Sequence, residues 1–375
     1  MTSAPSPPDG AVPAASPGTE ANGAKGRFRA PHRREASGAR LREKAAILGY
    51  RAGTAVIGRL PFGPTVRAGS LVADAAYVLW PERRRFVRAN AARILGVPAG
   101  DRRAGALARA VFRNQVRWVI EGMRLIRQSN AEHVAQFDAT AADRFHEAWL
   151  AARGLIIVGL HLGNGEAAAA ALAGRGWPVH VVADDTAYEE LFERMAAQRR
   201  AWGVEVIRWR NLRRVYEVLR AGEILALLVD WGYRPDAQPV RFLGAWTTLP
   251  AGPAVLAART GASIVPFWTR RLPDGTFDGD FAAPIVAASS EPAEVARVTQ
   301  AIADALEAGV RSIPDQWCVF KPMWPDDPAE EAALGARAAA ARAPSGGPAA
   351  AREPAPGARA QREAGRRVPT PEAAG

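Results

Sequence analysis

Gly154-Leu-Ile-Ile-Val-Gly-Leu-His161-Leu-Gly-Asn-Gly-Glu166 decides how this chain is read, because an apolar run suited to a strand passes directly into a loop that carries chemistry. Leu155 to Val158 is short and rich in β-branched residues, as a central strand requires. Gly163 and Gly165 relax the backbone that follows, so His161 and Glu166 can meet across the turn. An imidazole whose one nitrogen is held by a carboxylate keeps the other free to take a proton from an alcohol, which is what a general base needs. A loop histidine that is merely hydrogen-bonded nearby fits the same spacing, so the pattern alone leaves both roles open.

Downstream of this loop, strand-like and helix-like segments alternate. Val179 to Val182, Val204 to Ile207, Ile224 to Val229 and Ser263 to Thr269 read as strands. Glu166 to Ala173, Tyr188 to Trp202, Leu212 to Arg220, Pro250 to Thr260 and Glu291 to Ile313 read as helices. That alternation predicts an α/β fold with a mixed, mostly parallel central sheet covered by helices, the site lying in loops at the strand ends. Upstream, residues 41–57, 69–80, 83–95, 104–128 and 140–153 read as helices, with the Pro61-Phe-Gly-Pro64 break between the first two. They predict an N-terminal helical annex. The expected organisation is a disordered, basic segment 1–40, a helical membrane-associated annex 41–130, a core 131–325 and a disordered tail 326–375.

Composition bounds the function. The chain has 375 residues, 48% of them hydrophobic, and a net charge of +11, enough to bury a sizeable core. Its one cysteine, Cys318, excludes an intramolecular disulfide and reads as a small buried hydrophobe in the strand-like Gln-Trp-Cys-Val-Phe run. Only Lys25, Lys44 and Lys321 are lysines, so arginine supplies nearly all the positive charge. Basic residues crowd the stretch from Lys25 to Lys44, which suits an anionic membrane surface. No zinc-finger spacing, RNA-binding aromatic signature or basic zipper accompanies it, so nucleic acid is not an expected partner. No run of 18 apolar residues suits a spanning helix, and residues 2–24 lack the apolar stretch of a cleavable signal. The helices of residues 41–80 could lie in a membrane interface or pack on the core. No G-x-S-x-G nucleophile elbow and no H-E-x-x-H are present, and Gly159 to Gly165 does not fit a dinucleotide fingerprint. His32, His133, His146 and His180 are scattered and read as surface or packing residues.

His161-Leu-Gly-Asn-Gly-Glu166 resembles the HxxxxE/D box of the bacterial membrane acyltransferases that contains the lipid A late acyltransferases and phosphatidylinositol mannoside acyltransferases. Arg199-Arg-Ala-Trp-Gly203, Leu219 to Asp230, Val240-Arg-Phe-Leu-Gly244, Leu249 to Pro266 and Thr299 to Trp317 are similar to further blocks of that family, in its order. The likeness runs from about residue 45 to residue 325. One departure is Gly165, where many relatives carry an aromatic residue, which would widen the acceptor pocket. The resemblance implies transfer of a fatty acyl chain from an acyl-CoA or acyl-carrier-protein thioester to a hydroxyl of a membrane glycolipid, with no cofactor and no metal. His161 would be the base and Glu166 would fix its tautomer. Gly163 and Asn164 would line the substrate site, the backbone from Gly163 to Gly165 offering N–H groups to the oxyanion. Arg199 would hold a substrate phosphate, and Asp230, at a strand end, would orient the site. The protein would sit peripherally on the cytoplasmic face of the membrane. Glycerophospholipid acyltransferases share the box but also carry a Pro-Glu-Gly-Thr-Arg-like block that this chain lacks. They form the alternative enzyme class, and a catalytically inactive membrane-binding protein the alternative without chemistry.

Overall fold

The computed structural model describes residues 33–183 and 189–342. The irregular tails expected at 1–32 and 343–375 lie outside the described residues, as does His32. Two compact units divide the chain, residues 1–42 and residues 43–375. Of the first, only the opening turns of α1 (Arg33–Ile57) are described; all contacts below belong to the second.

Proline and glycine punctuate the helical part. α2 (Phe62–Leu79) starts after Pro61, α3 (Pro81–Leu95) has proline in its first turn, and Gly96 closes α3 with φ 63°. The Asp101 side chain caps α4 (Arg102–Leu125) by accepting from Arg103 N–H. α2 and α3 both pack on α4 through mostly small residues, among them Ala73, Ala91, Ala104 and Ala108, with Val111 and Phe112 filling the centre. Small side chains let the helix axes approach closely, so the annex closes without long apolar runs. α5 (Asn130–Ala135), opened by a Ser129/Glu132 capping box, and α6 (Ala139–Ala151) lead into the sheet.

The core begins with β1 (Leu155–Gly159), all five residues buried, and continues through α7 (Gly165–Gly174), β2 (Val179–Ala183), α8 (Glu189–Ala201), β3 (Glu205–Arg208), α9 (Leu212–Arg220) and β4 (Ile224–Leu228). The hairpin β5 (Gln238–Phe242) and β6 (Ala245–Leu249) follows. Then come α10 (Gly252–Thr260), β7 (Ser263–Arg271), β8 (Phe277–Phe281), α11 (Pro292–Ser312) and α12 (Pro328–Arg342). The main sheet has the order β3-β2-β4-β1-β7-β8, parallel except for β8. It is the mixed, mostly parallel sheet with helical cover that the alternation predicts. Period-2 geometry divides β1 between two cores: Leu155 and Ile157 face a cluster with Phe145, Trp149 and Trp177, while Ile156 and Val158 face one with Leu219, Ile302 and Leu306. Each such fully buried aliphatic contributes about 1.5–3 kcal/mol of burial.

β1 occupies the switch point. From it the chain leaves through α7 toward β2 on one side, while β7 returns on the other. Ligands of open α/β sheets bind beyond the carboxyl ends of the strands at such a point. β1 and β4 pair with Gly159 opposite Leu228, so the second residue past each strand, His161 and Asp230, emerges side by side.

Four segments differ from the sequence expectation. The β5–β6 hairpin and β8 are strands where only loops or family blocks are legible; the hairpin turns on Leu243 (φ 50°) and Gly244 (φ 81°), both left-handed as a two-residue turn requires. Residues 33–40, expected irregular, already belong to α1. Residues 328–342, expected disordered, form α12, which packs Leu334 and Ala338 against β5, β6 and α11, with Arg337 donating to the Pro235 and Ala237 carbonyls. Alanine-rich helices bury a narrow stripe with few large side chains, so this one carries little periodic signal.

Candidate active site

His161 stands at the end of β1 with its backbone fixed on three sides. Its N–H donates to Asp230 Oδ2 at 2.7 Å, its carbonyl accepts from Cys318 N–H at 2.8 Å, and Gly163 N–H donates to the Gln316 carbonyl at 3.1 Å. Gly163 has φ 67°, and a Cβ there would overlap the Thr269 carbonyl and hydroxyl on β7. Only glycine lets the loop turn at this depth. Thr269 Oγ1 donates to the Leu162 carbonyl and accepts Asn164 N–H at 2.7 Å.

The imidazole is held by Asp230. His161 Nδ1 lies 2.7 Å from Asp230 Oδ1, while Asp230 Oδ2 also accepts Trp317 Nε1–H at 2.9 Å. Asp230 is buried, whereas the His161 side chain keeps 37% of its surface open. Burial opposes charge on both partners. On His161 the Asp230 charge and hydrogen bond outweigh that burial and raise its pKa above 6.5. On Asp230 the His161 charge and the hydrogen bonds from His161 and Trp317 outweigh it in turn and lower the carboxyl pKa. With Nδ1 on a carboxylate, the neutral ring carries its proton there and presents a bare Nε2.

This corrects the expected partnership across the turn. Glu166 does not hold the ring: its two oxygens take the Arg199 guanidinium at 2.5 and 3.0 Å. Glu166 starts α7, where its carboxylate also complements the helix terminus, and Arg199 comes from the last turn of α8. The Glu166 charge still favours protonated His161. Arg199 is largely buried, and although burial opposes its charge, Glu166 holds its pKa above the usual value. Its fork is occupied rather than free for a phosphate.

Asn164 also differs from expectation, whereas Gly163 does line the pocket beside His161. Asn164 is fully buried, caps α7 by accepting Ala167 N–H, and donates from Nδ2 to Glu121 Oε2 at 3.0 Å. Glu121, on α4, takes the buried Arg271 of β7 in a two-point pair at 2.5 and 2.7 Å, and Arg271 continues to Asn114 and from there to the Asp315 carbonyl. A buried polar chain thus ties annex, sheet and active loop together. Gly163 and Asn164 N–H groups are both spent, on the Gln316 carbonyl and on Thr269 Oγ1. Among the described residues, the N–H groups of Gly165 and Glu166, in the first turn of α7, have no such partner.

His161 opens on a partly open, mostly apolar pocket of about 370 Å³, within the size range of lipid and small-molecule sites. Its walls include Ile157, Leu172, Val181, Ala226 and Phe267 from the face of the sheet that packs with Phe145 and Trp177, together with Trp118, Phe192, Met195, Trp231, Glu166 and Arg199. Gly165 lines it, and a Cβ there would meet nothing within 4 Å. α1 flanks this edge, Tyr50 donating to Gln198 and Glu43 accepting Glu190 N–H. Cys318, beside His161 in the backbone pairing, is no nucleophile: burial pushes its thiol up to about 12. His133, His146 and His180 serve elsewhere, His133 on the Leu125 carbonyl, His146 against Trp149 and Trp177, and His180 on Glu223.

Glu121, Thr269, Arg271, Trp231 and Trp317 complete the site without having been singled out from sequence. Trp317 lay inside a matched block and Trp231 directly follows Asp230, so proximity to known blocks was an available signal. For Glu121 and Arg271 there was only the weak one of a charge within a mostly apolar stretch.

A strand-end histidine held by a buried carboxylate and opening on an apolar pocket is an arrangement able to deprotonate a hydroxyl, and a family model of bacterial lipid A biosynthesis acyltransferases matches residues 39–325. The chain belongs to that family and is an acyltransferase. It is similar to the phosphatidylinositol mannoside acyltransferase of Mycolicibacterium smegmatis, 29% identical over 289 residues that cover 76% of this chain and 93% of that protein. It is likewise similar to the protein of the same name from Mycobacterium tuberculosis, 29% identical over 251 residues, 65% of this chain and 78% of the relative.

Proposed function

We propose that this enzyme transfers a fatty acyl chain from a thioester donor to a hydroxyl of a membrane glycolipid of the phosphatidylinositol mannoside type, with His161 as general base. The observation that carries the proposal is the His161–Asp230 pair opening on an apolar pocket, with the named relatives supplying the acceptor class. His161 Nε2 takes the acceptor proton as the hydroxyl oxygen attacks the thioester carbonyl. Asp230 keeps Nδ1–H in place and offsets the imidazolium charge, to which Glu166 adds from across the loop. The tetrahedral oxyanion faces the first turn of α7, where the Gly165 and Glu166 N–H groups are available. Collapse expels the thiolate, which recovers the proton from His161, so no covalent enzyme intermediate forms. The pocket takes the acyl chain, each methylene contributing about 0.8 kcal/mol. The donor is acyl-CoA or acyl-carrier protein.

We assign attachment to the membrane to the exposed face of α2. No helix among the described residues is long and apolar enough to cross a membrane. Leu71, Val72, Val78 and Leu79, spaced 1, 7 and 8 along α2, share one outward face, continued by Trp80, and each is more than half exposed. Laid in the interface, this face explains a peripheral residence, with neighbouring arginines reaching the headgroups. The test is thiol release by purified protein given acyl-CoA. Release that depends on added inositol mannoside supports the proposal; equal release without any acceptor would make the protein a thioesterase instead.

A further inference from the structure

Any acceptor or donor of the proposed reaction carries phosphate, and the cations close to the pocket are already committed. Arg199 is closed by Glu166, and Arg271 by Glu121 and Asn114. Lys321 is the exception. Its ammonium lies 5.3 Å from the centroid of the Trp231 ring, and that ring stands edge-on to the His161 imidazole, 6.0 Å between centroids at 89°. Trp231 lines the pocket whereas Lys321 is exposed, so the lysine is on the rim, across one indole from the base. No carboxylate pairs with it among the described residues.

The backbone beneath it is firmly held. Asn90 donates from Nδ2 to the Lys321 carbonyl at 2.9 Å, Arg83 donates to the Phe320 carbonyl at 3.0 Å, and Tyr233 N–H donates to the Pro322 carbonyl at 2.9 Å. The strap 320–322 is therefore anchored to α3 on one side and to the segment after Asp230 on the other, while the ammonium at its surface is left uncommitted. Composition points the same way. Lys321 is one of three lysines in a chain whose other basic residues are arginine. A lysine offers a compact point charge with three rotatable donors, suited to a tetrahedral phosphate approached from one side.

We infer that Lys321, seated on Trp231, is a phosphate-binding residue at the mouth of the pocket, holding a phosphate of one of the two substrates while His161 addresses the reacting hydroxyl. This rests on the acyl-transfer reading above. Its short span to His161 favours the phosphodiester of the acceptor headgroup, in which phosphate and sugar hydroxyls are only a ring or two apart. The donor phosphate is separated from its thioester by the long pantetheine arm.

The experiment uses the full chain, with K321Q and K321R, and two soluble probes that carry the alternative phosphates: glycerophosphoinositol and pantetheine 4′-phosphate. Binding is measured by calorimetry, alongside acyl-transfer kinetics for each substrate. K321Q, with an unchanged melting temperature, should weaken glycerophosphoinositol about tenfold and raise the acceptor KM by a similar factor, while K321R retains most of the affinity. Weakening confined to pantetheine 4′-phosphate upholds the subsite and assigns it to the donor. Equal binding of both probes by wild type and K321Q, or binding of neither by wild type, overturns it. Loss of probe binding in K321Q with no acyl transfer by wild type would retain the phosphate subsite and reject the reaction. Transfer with both KM values unchanged in K321Q would do the reverse.

Discussion

Asp230→Asn separates the carboxylate that orients His161 from every other acid in the site. In the native arrangement Oδ2 accepts two N–H groups, from His161 at 2.7 Å and Trp317 at 2.9 Å, and Oδ1 takes His161 Nδ1 at 2.7 Å. An asparagine keeps the first two bonds by placing its oxygen where Oδ2 was. Its amide nitrogen then faces Nδ1 and donates, so Nδ1 must be the acceptor and the ring proton moves to Nε2. The base atom is now blocked, and the counter-charge for the imidazolium is gone. The same carboxylate-to-amide change in a catalytic triad lowers kcat about 10⁴-fold through the tautomer, and a general base is worth about 10²–10⁴. We expect a 10³–10⁴-fold loss in kcat, equivalent to about 4–5.5 kcal/mol, with the donor KM nearly unchanged and the fold intact by circular dichroism. The assay is thiol release from acyl-CoA in the presence of acceptor. Activity within tenfold of wild type would refute the tautomer argument. A near-normal D230N beside an inactive Glu166→Gln would return the orienting role to Glu166.

Further perturbations test the supporting structure. Gly163→Ala places a methyl group on the Thr269 carbonyl and forces a left-handed φ, costing about 3 kcal/mol or more in urea unfolding; a cost under 1 kcal/mol would mean that the loop is not held as described. Glu121→Gln leaves buried Arg271 without its counter-charge, an expected loss of about 3–5 kcal/mol, whereas Glu217→Gln at the exposed Arg213 pair should cost well under 1 kcal/mol; equal losses would contradict the burial argument. The pH profile follows from the raised His161 pKa: the rate falls as pH drops through a midpoint above 6.5, and a midpoint below 6.5 in initial-rate measurements contradicts the pairing. Stability has the opposite sense. The raised histidine contributes fully below 6.5 and loses that contribution as pH rises through its folded pKa, while lowered Asp230 contributes above 3.8 and loses it as pH falls through its own. Denaturation of wild type and D230N should therefore differ most between about pH 4 and 6.5. Leu71→Asp with Leu79→Asp removes apolar surface from the exposed face of α2 and should sharply reduce liposome co-sedimentation without lowering the melting temperature; undiminished binding would assign attachment elsewhere.

Legibility followed the range of the interaction that makes each feature. β1, its loop and the alternation after it are local patterns of period 2 and 3.6, and the sheet with its helical cover follows from them. The β5–β6 hairpin turns on Leu243-Gly244, a leucine in a conformation that signals of Asn-Gly or Asp-Gly type do not anticipate. α12 hides its apolar stripe in alanines. His161 was legible because it lies next to its strand in sequence.

Its partner was not, for the same reason. A spacing of five makes Glu166 the nearest acid along the chain, but α7 begins at Gly165 and carries that carboxylate to Arg199 on α8. Asp230 lies 69 positions from His161 and becomes its neighbour only through the pairing of Gly159 with Leu228. Two parallel strands in that register must deliver their second exit residues side by side, so once β1 and β4 are known to be adjacent, the dyad is a consequence of sheet geometry. Sequence reading placed both residues at strand ends without knowing which strands touch. Strand order is decided by packing across the whole core, and it is the one quantity from which the His161–Asp230 contact could have been derived.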